Sequence, residues 1–297
     1  MGRGYKAYEL KQKLIEILED SKMGLSGIEI SKKLNVNRLT MTKYLKVLAA
    51  EGFLHQKNIG NTTLWILESG HETFSFPDDY FKVAPEYLEH LINRDEHKLF
   101  SLIKNCLHSG ANVSKLVIEV ILPAVKEIQT LYDGGKIGNS EAKLLGNLVS
   151  NSLQIFKQLP GESDPKRKAV VISGDPESTL VSEAASATLH SKEWIVFHLG
   201  DMSSSINVLF DLDFQKLINK IGKQKSGILI TIVFANSKQR LTFFSDSISP
   251  IKEKIGKRMK LVLCGPIDKK SKLDCDLQTE SFEDAIQWSQ NVYENSK

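Results

Sequence analysis

The chain predicts an α/β protein of several domains: a small helical segment closed by a hairpin, a wholly helical middle, and a C-terminal doubly wound parallel sheet of five strands. Three observations predict it. Beyond residue 168, five short runs (AVVIS, WIVFHL, GILITIVF, KLVLCG and DLQTE) alternate with helical patterns, as βα units do. From about 84 to 159 apolar residues recur at helical spacing, with no β-branched strand run. The first 68 residues combine helix caps, a tight turn and two strand-like runs. The expected boundaries are 1–75, 76–159 and 160–297.

At 297 residues the chain is long enough for two or three cores. The run ILITIVFA at 228–235 is too short to span a bilayer. The N-terminus, MGRGYKAYELKQ, has no apolar signal core, so a cytoplasmic protein is expected, with no membrane partner. Cys106, Cys264 and Cys275 lack metal spacing and are odd in number, which argues against a disulfide framework. Charge is uneven: residues 1–68 carry +4, 69–159 carry −2 and 160–297 carry +1. The basic excess of the first segment hints at nucleic acid.

In that segment, Leu10, Leu14, Ile15, Ile17 and Leu18 share one helical stripe. Ser26-x-x-Glu29 is a capping-box pattern that opens a second helix, running through Leu34. Asn35-Val36-Asn37 makes a turn. A third helix follows over 38–50, with Leu39, Leu45 and Leu48 available for the core and Gly52 as its stop. FLHQKNIGNTTLWIL then reads as a hairpin around Ile59-Gly60-Asn61-Thr62. Helix, helix, turn, helix, hairpin is the order of a winged helix. The polar side of its third helix holds Asn37, Arg38, Thr40, Thr42, Lys43 and Lys46. Asn37 and Arg38 could read bases bidentately, the lysines and hydroxyls suit phosphates, and Lys57 and Asn58 sit near the hairpin tip. Residues 26–52 resemble archaeal winged-helix transcriptional regulators, following S-G-x-E-I-S-K-x-L-x-x-N-R-x-T-x-x-K-Y-L-K-x-L almost continuously. That resemblance implies duplex DNA as a partner.

Residues 76–93 read as a linker running into a helix. Leu99, Leu102, Ile103, Cys106 and Leu107 mark a second helix. NVSKLVIEVILPAVKEIQTLY is a third, which Pro123 should kink. After the loop DGGKIGNS, Leu144, Leu145, Leu148, Ile155 and Phe156 mark a fourth. Together they predict a four-helix bundle, tied to the sheet by the linker LPGESDPKRK.

VVISGDPESTL, at 170–180, is a strand, a tight turn and a helix start, the place where open α/β sheets collect ligands. A helical bundle followed by a flavodoxin-like sheet resembles the cobalamin-binding module with its cap, a family that includes corrinoid methyltransferase subunits and cobalamin-dependent light-responsive repressors. The patch ILPAVKEIQTLYDGGKIGNSEAKLL is similar to the cap. Thr231 and Val233 fall at the family's third-strand end, and Cys264-Gly265 falls on its Gly-Gly. The departures lie where the family binds its cofactor. Its Asp-x-His-x-x-Gly reads Asp175-Pro-Glu177-Ser178-Thr179-Leu180. A carboxylate thus replaces the cobalt-ligating imidazole, and leucine replaces the glycine that leaves room for the nucleotide tail. Tyr132 stands for the shielding tryptophan, and Ala142-Lys143 for a Glu-His pair. These changes disfavour His-ligated cobalamin.

Three roles fit Glu177: a solvated acid at a helix start, a polar anchor for another small molecule, and a cobalt ligand, the poorest match of the three. The expected crevice comprises Tyr132, Asp175, Glu177, Ser178, Thr179, Thr231, Val233, Cys264 and Gly265. His190 and His198 lack paired ligands and read as ordinary partly buried histidines. No Gly-x-Ser-x-Gly, P-loop or His-Glu-x-x-His occurs. A phosphorelay receiver is rejected, since the third strand leads into Phe234-Ala-Asn236 and no lysine follows DLQT. The expectation is a DNA-binding regulator, not an enzyme, which works as a homodimer or higher homo-oligomer. Its C-terminal module would sense a small-molecule effector or control assembly. The alternatives are a retired sensor kept as a dimerisation or interaction scaffold and, third, a cobalamin-binding protein, light-responsive or a corrinoid carrier.

Overall fold

The structure is a computed structural model that describes residues 10, 13–14, 17–18, 21, 24–50, 53–60, 62–67, 74–159, 162–204, 208–222, 227–267 and 273–295, with side chains omitted over 208–213. Ile15, Gly52 and Asn61 therefore lie outside the described residues. The chain divides into two compact units. Met1–Ser75 with Phe100–Ser109 forms the first, and Phe76–Leu99 with Gly110–Lys297 the second.

In the first unit, strand β1 (Leu25–Ser26) leads into helix α1 (Gly27–Lys33), followed by α2 (Arg38–Ala50) and the hairpin β2 (Leu54–Ile59) and β3 (Thr62–Leu67). The capping box forms as expected. The Ser26 hydroxyl accepts from the Glu29 amide at 3.3 Å, and the Glu29 carboxylate accepts from the Ser26 amide at 2.8 Å. That backbone bond, with the Ser26 hydroxyl second, holds the Glu29 carboxyl below its usual pKa. Strand β1 was not expected: its two residues pair with β3 and make the hairpin a three-stranded sheet. Leu10, Leu14, Leu18, Ile30, Met41, Leu45, Leu48 and Trp65 form the core.

Leu39 is a correction. It was expected inside, yet it is 76% exposed, and Met41 takes the core position. The reason is helical phase. Met41, Leu45 and Leu48 fall at i, i+4 and i+7 on one face, whereas one and two turns beyond Leu39 lie Lys43 and Lys46.

The second unit carries α3 (Tyr80–Ile92), α5 (Val113–Leu116), α6 (Leu122–Asp133) and α7 (Asn139–Lys157). Most of α4 (Glu96–His108) groups with the first unit, where His108 meets Phe53 edge to face at 4.6 Å. Where a kink at Pro123 is expected, one π turn, Val117–Ile121, joins α5 to α6 and puts the proline in the first turn of α6. There its missing amide costs no helical hydrogen bond. The buried Tyr87 hydroxyl donates to Ser152 at 3.0 Å, tying α3 to α7.

The sheet comprises β4 (Asp164–Ser173), β5 (Trp194–Asp201), β6 (Ile228–Phe234), β7 (Met259–Cys264) and β8 (Leu277–Thr279). It is parallel throughout, in the order β5-β4-β6-β7-β8. Helices α8 (Thr179–Ser191) and α11 (Phe282–Glu294) cover one face, and α9 (Val208–Gly222) and α10 (Lys238–Ile255) the other. This is the doubly wound order with its switch point between β4 and β6. The linker expected over 159–168 is shorter than read, since β4 begins at Asp164. Polar ties compensate for the charged start of that strand: Tyr293 donates to Asp164 at 2.6 Å, and the Arg167 guanidinium lies 4.4 Å from the Tyr293 ring.

The placement of Leu39 is checked by denaturant unfolding. Leu45→Ala, at a fully buried position, is expected to cost about 2–5 kcal/mol. Leu39→Ala is expected to change stability by less than about 0.5 kcal/mol. Equal losses would return Leu39 to the core.

Candidate functional sites

The first candidate surface is built by α2 and the hairpin. Asn35 takes the left-handed conformation (φ 50°) that ends the turn after α1. Asn37 then caps α2, its Oδ1 accepting from the Leu39 amide at 2.9 Å. Arg38, Thr40, Lys43 and Lys46 are exposed on α2, a helix with no acidic residue. Lys57 and Asn58 are exposed at the far end of the hairpin, in register with Leu64 and Thr63. Three residues read as DNA contacts hydrogen-bond locally, Asn58 among them, its Oδ1 accepting from the Thr63 hydroxyl at 2.8 Å. Asn37 turns its oxygen back to the cap, which leaves one lone pair free and orients the side chain towards its own backbone rather than outward for a bidentate base contact. Thr42 is half-buried and donates its proton to the Arg38 carbonyl at 2.8 Å. Leu39, absent from the expected surface set, stands among these polar residues.

The second candidate is the crevice at the switch point, where Asp175 decides the geometry. Its side chain is buried and accepts twice: Oδ1 from the Ser178 amide at 2.9 Å and Oδ2 from the Asn236 amide at 2.6 Å. The Gly174 amide adds a bond to the Phe234 carbonyl at 2.7 Å. The exits of β4 and β6 are therefore fastened to each other. A β-carbon at Gly174 would lie 3.0 Å from both Ala235 and Phe244, so any side chain there would press on both.

The remaining crevice residues do not converge on one space. Glu177 is exposed in a short 3-10 turn, Pro176–Ser178, and Tyr132 is 43% exposed on α6. Ser178 is buried and Thr179 half-buried at the start of α8. Thr231 and Val233 are fully buried, and strand alternation places them with Leu229 on the face under α9 and α10. The Thr231 hydroxyl is without a hydrogen-bond partner. Burial, with Asp284 second, pushes the Cys264 thiol up to about 12, which leaves it an inert core thiol. Gly265 bonds Thr279 through its amide at 2.8 Å, and a β-carbon there would collide with the Ala235 carbonyl.

A polar cluster was not visible in the sequence because its members are far apart in the chain. His198 on β5 lies 2.9 Å from the Ser182 hydroxyl on α8. That hydroxyl already gives its proton to Thr179, so the neutral ring is the donor, through Nε2–H. Burial, and then the Lys157 ammonium, hold His198 down at about 4. Lys157 is itself lowered by burial and partly restored by Glu183. His198 is thus more than an isolated core histidine: it helps join α8 to the sheet.

Among the described residues, no group of three His, Cys, Asp or Glu could hold a metal ion, and no helix is long and apolar enough to cross a membrane.

No protein-family profile matches the chain, and no curated protein matches it. Solved structures do. A monomethylamine corrinoid protein of Methanosarcina barkeri aligns over 71% of this chain and 99% of its own, at 14% identity and a TM-score of 0.53. The methanol:cobalamin methyltransferase complex MtaBC from the same organism aligns over 77% and 85%, at 13% identity and a TM-score of 0.38, which adds no weight. The first alignment gives the chain a cobalamin-module-like fold. The residues at the crevice do not fit a His-ligated cobalamin. The ligand position holds an exposed glutamate, and the tail position holds Leu180, whose Cδ1 lies 3.6 Å from where a Gly146 β-carbon would stand. Leucine thus occupies the space between α8 and α7.

Two measurements test this account. Asp175→Ala strands two amides at the switch point and is expected to cost about 2–5 kcal/mol, with Asp175→Asn intermediate; unchanged unfolding would remove the fastening role. For His198 the folded pKa lies below the ordinary 6.5, so the unfolded chain takes the proton first. The stability linked to the neutral ring is complete above pH 6.5 and is lost as pH falls towards 4. His198→Gln is expected to flatten the unfolding midpoint across that window relative to wild type.

Proposed function

We propose that the protein is a cytoplasmic, non-enzymatic transcriptional regulator whose first unit is a winged helix that binds duplex DNA. Its second unit sets assembly, or responds to a small molecule other than His-ligated cobalamin. The observation that carries this reading is the exposed face of α2: Arg38, Lys43 and Lys46 with no acidic neighbour on the helix, and Lys57 at the hairpin. A helix offered in this way after a tight turn suits the major groove, with its first residues at base edges and its lysines on phosphates.

A second copy is the expected partner, because one such helix meets few base pairs. On α3, Phe81 is 71% exposed and Ile92 is 42% exposed. With Pro85 and Leu88 they form a stripe at i, i+4, i+7 and i+11, opposite the buried Tyr80, Val83, Tyr87 and Leu91. An apolar stripe of this kind suits a protein interface. A second reading, a retired sensor kept as a scaffold, is favoured by one observation: the Asp175 carboxylate is spent on backbone amides at the place where a ligand would sit.

Anisotropy titrations against duplex DNA test the main reading. Lys43→Ala or Lys46→Ala is expected to weaken binding to all sequences and lower the salt slope by roughly 0.9 for each phosphate no longer neutralised. Arg38→Ala is expected to cost about 1–3 kcal/mol at one base position. Absence of any duplex association at low salt overturns the proposal. In the same samples light scattering is expected to give two chains, and Phe81→Glu one. Cobalamins are expected to leave the unfolding temperature unshifted. A saturable shift with another metabolite supports sensing, and silence across a broad panel favours the scaffold.

A further inference from the structure

We infer that Leu39 is a base-reading residue, and that it recognises the methyl group of a thymine beside the base read by Arg38. The inference rests on the DNA-binding reading above and deepens it. An exposed leucine by itself means little, since much of any protein surface is apolar. Its position is what matters.

Leu39 is the second residue of α2 and is 76% exposed. Side chains on a helix tilt towards its N-terminus, so Leu39 projects past the end of α2 that would lie deepest in the groove. Arg38 and Thr40 flank it and Lys43 lies one turn on, all exposed. This basic setting suits a polyanion better than an apolar protein partner.

The major groove offers a leucine one apolar feature, the thymine 5-methyl; its other edge groups are hydrogen-bond donors and acceptors. The neighbouring candidate for base reading is turned back towards the helix, because the Asn37 oxygen is bonded to the Leu39 amide. That bond also fixes the backbone from which Leu39 projects. The reading pair therefore shifts from Asn37 and Arg38 to Arg38 and Leu39, and the expected half-site holds a guanine and a thymine within one or two base pairs.

The full-length protein selects a duplex from a random-sequence library, and the thymines of that duplex are replaced one at a time by deoxyuridine, which lacks only the methyl group. One replacement is expected to weaken wild-type binding roughly three- to five-fold, the scale of burying one methyl group. Leu39→Ala is expected to bind the thymine and deoxyuridine duplexes equally while unfolding at the wild-type midpoint. Three results would overturn the inference while leaving DNA binding intact: no thymine in the selected site, equal wild-type affinity for both duplexes, or a preference that persists in Leu39→Ala. Failure of the wild-type protein to bind any duplex would overturn the reading beneath it.

Discussion

The second unit depends on one carboxylate. At the switch point of a doubly wound sheet the two central strands send their chains to opposite faces, so a cleft opens between them unless something closes it. Asp175 closes it by bonding the start of α8 through Ser178 and the exit of β6 through Asn236. The bond from Gly174 to Phe234 extends the backbone ladder one step beyond the strands. With α8 held in this way, Leu180 faces Gly146, and the bundle helix α7 sits close over α8. The seating of the cap thus follows from a fastening in the loop below it.

The same constraint explains why the fold likeness does not carry a ligand with it. A crevice binds when its polar groups converge on a space they do not themselves fill. Here Asp175 is satisfied by backbone, Glu177 faces outward, and Thr231 points to the opposite side of the sheet. The polar groups that do cluster, Ser182, His198, Lys157 and Glu183, gather around α8, where the bond between His198 and Ser182 joins that helix to the sheet. Burial keeps the imidazole neutral, and a neutral ring suits a joint that must stay intact near pH 7.

Much of this was legible in the sequence. The Ser26 and Glu29 pair announced the start of α1, and four apolar runs with the short DLQTE announced five strands. The rest was hidden for physical reasons. Leu39 is misplaced because any leucine in an amphipathic helix looks like core; the signal against it is Lys43 and Lys46 one and two turns on, with Met41 in phase with Leu45 and Leu48. The start of β4 was masked by charge, since Asp164 and Arg167 are accommodated by partners distant in sequence, Tyr293 for both and the Lys192 carbonyl for Arg167, Tyr293 lying 129 positions from Asp164. Leu180 could be read as bulk, but its partner Gly146 belongs to another element. The two residues of β1 carry no pattern of their own. Short strands and long-range polar ties are tertiary facts, outside the reach of periodicity.

A closed switch point also limits how the second unit could signal. Any ligand entering between β4 and β6 must first release Asp175 from two amides, and hydrogen bonds to a charged group are worth about 1.5–3 kcal/mol each. At about 1.4 kcal/mol per tenfold in affinity, a penalty of about 3 kcal/mol or more weakens binding at least a hundredfold unless the ligand supplies its own donors to the carboxylate. Occupancy and loop opening are then one event, because the bound state is by construction the unfastened one. Such a ligand would be cationic or rich in N–H groups, and it would change the start of α8 and with it the seat of α7. A ligand bound elsewhere on the unit would leave Asp175 in place and could act only by selecting among assemblies of the closed form. Protection of the Ser178 and Asn236 amides from hydrogen exchange separates the two, because only the first mode exposes them.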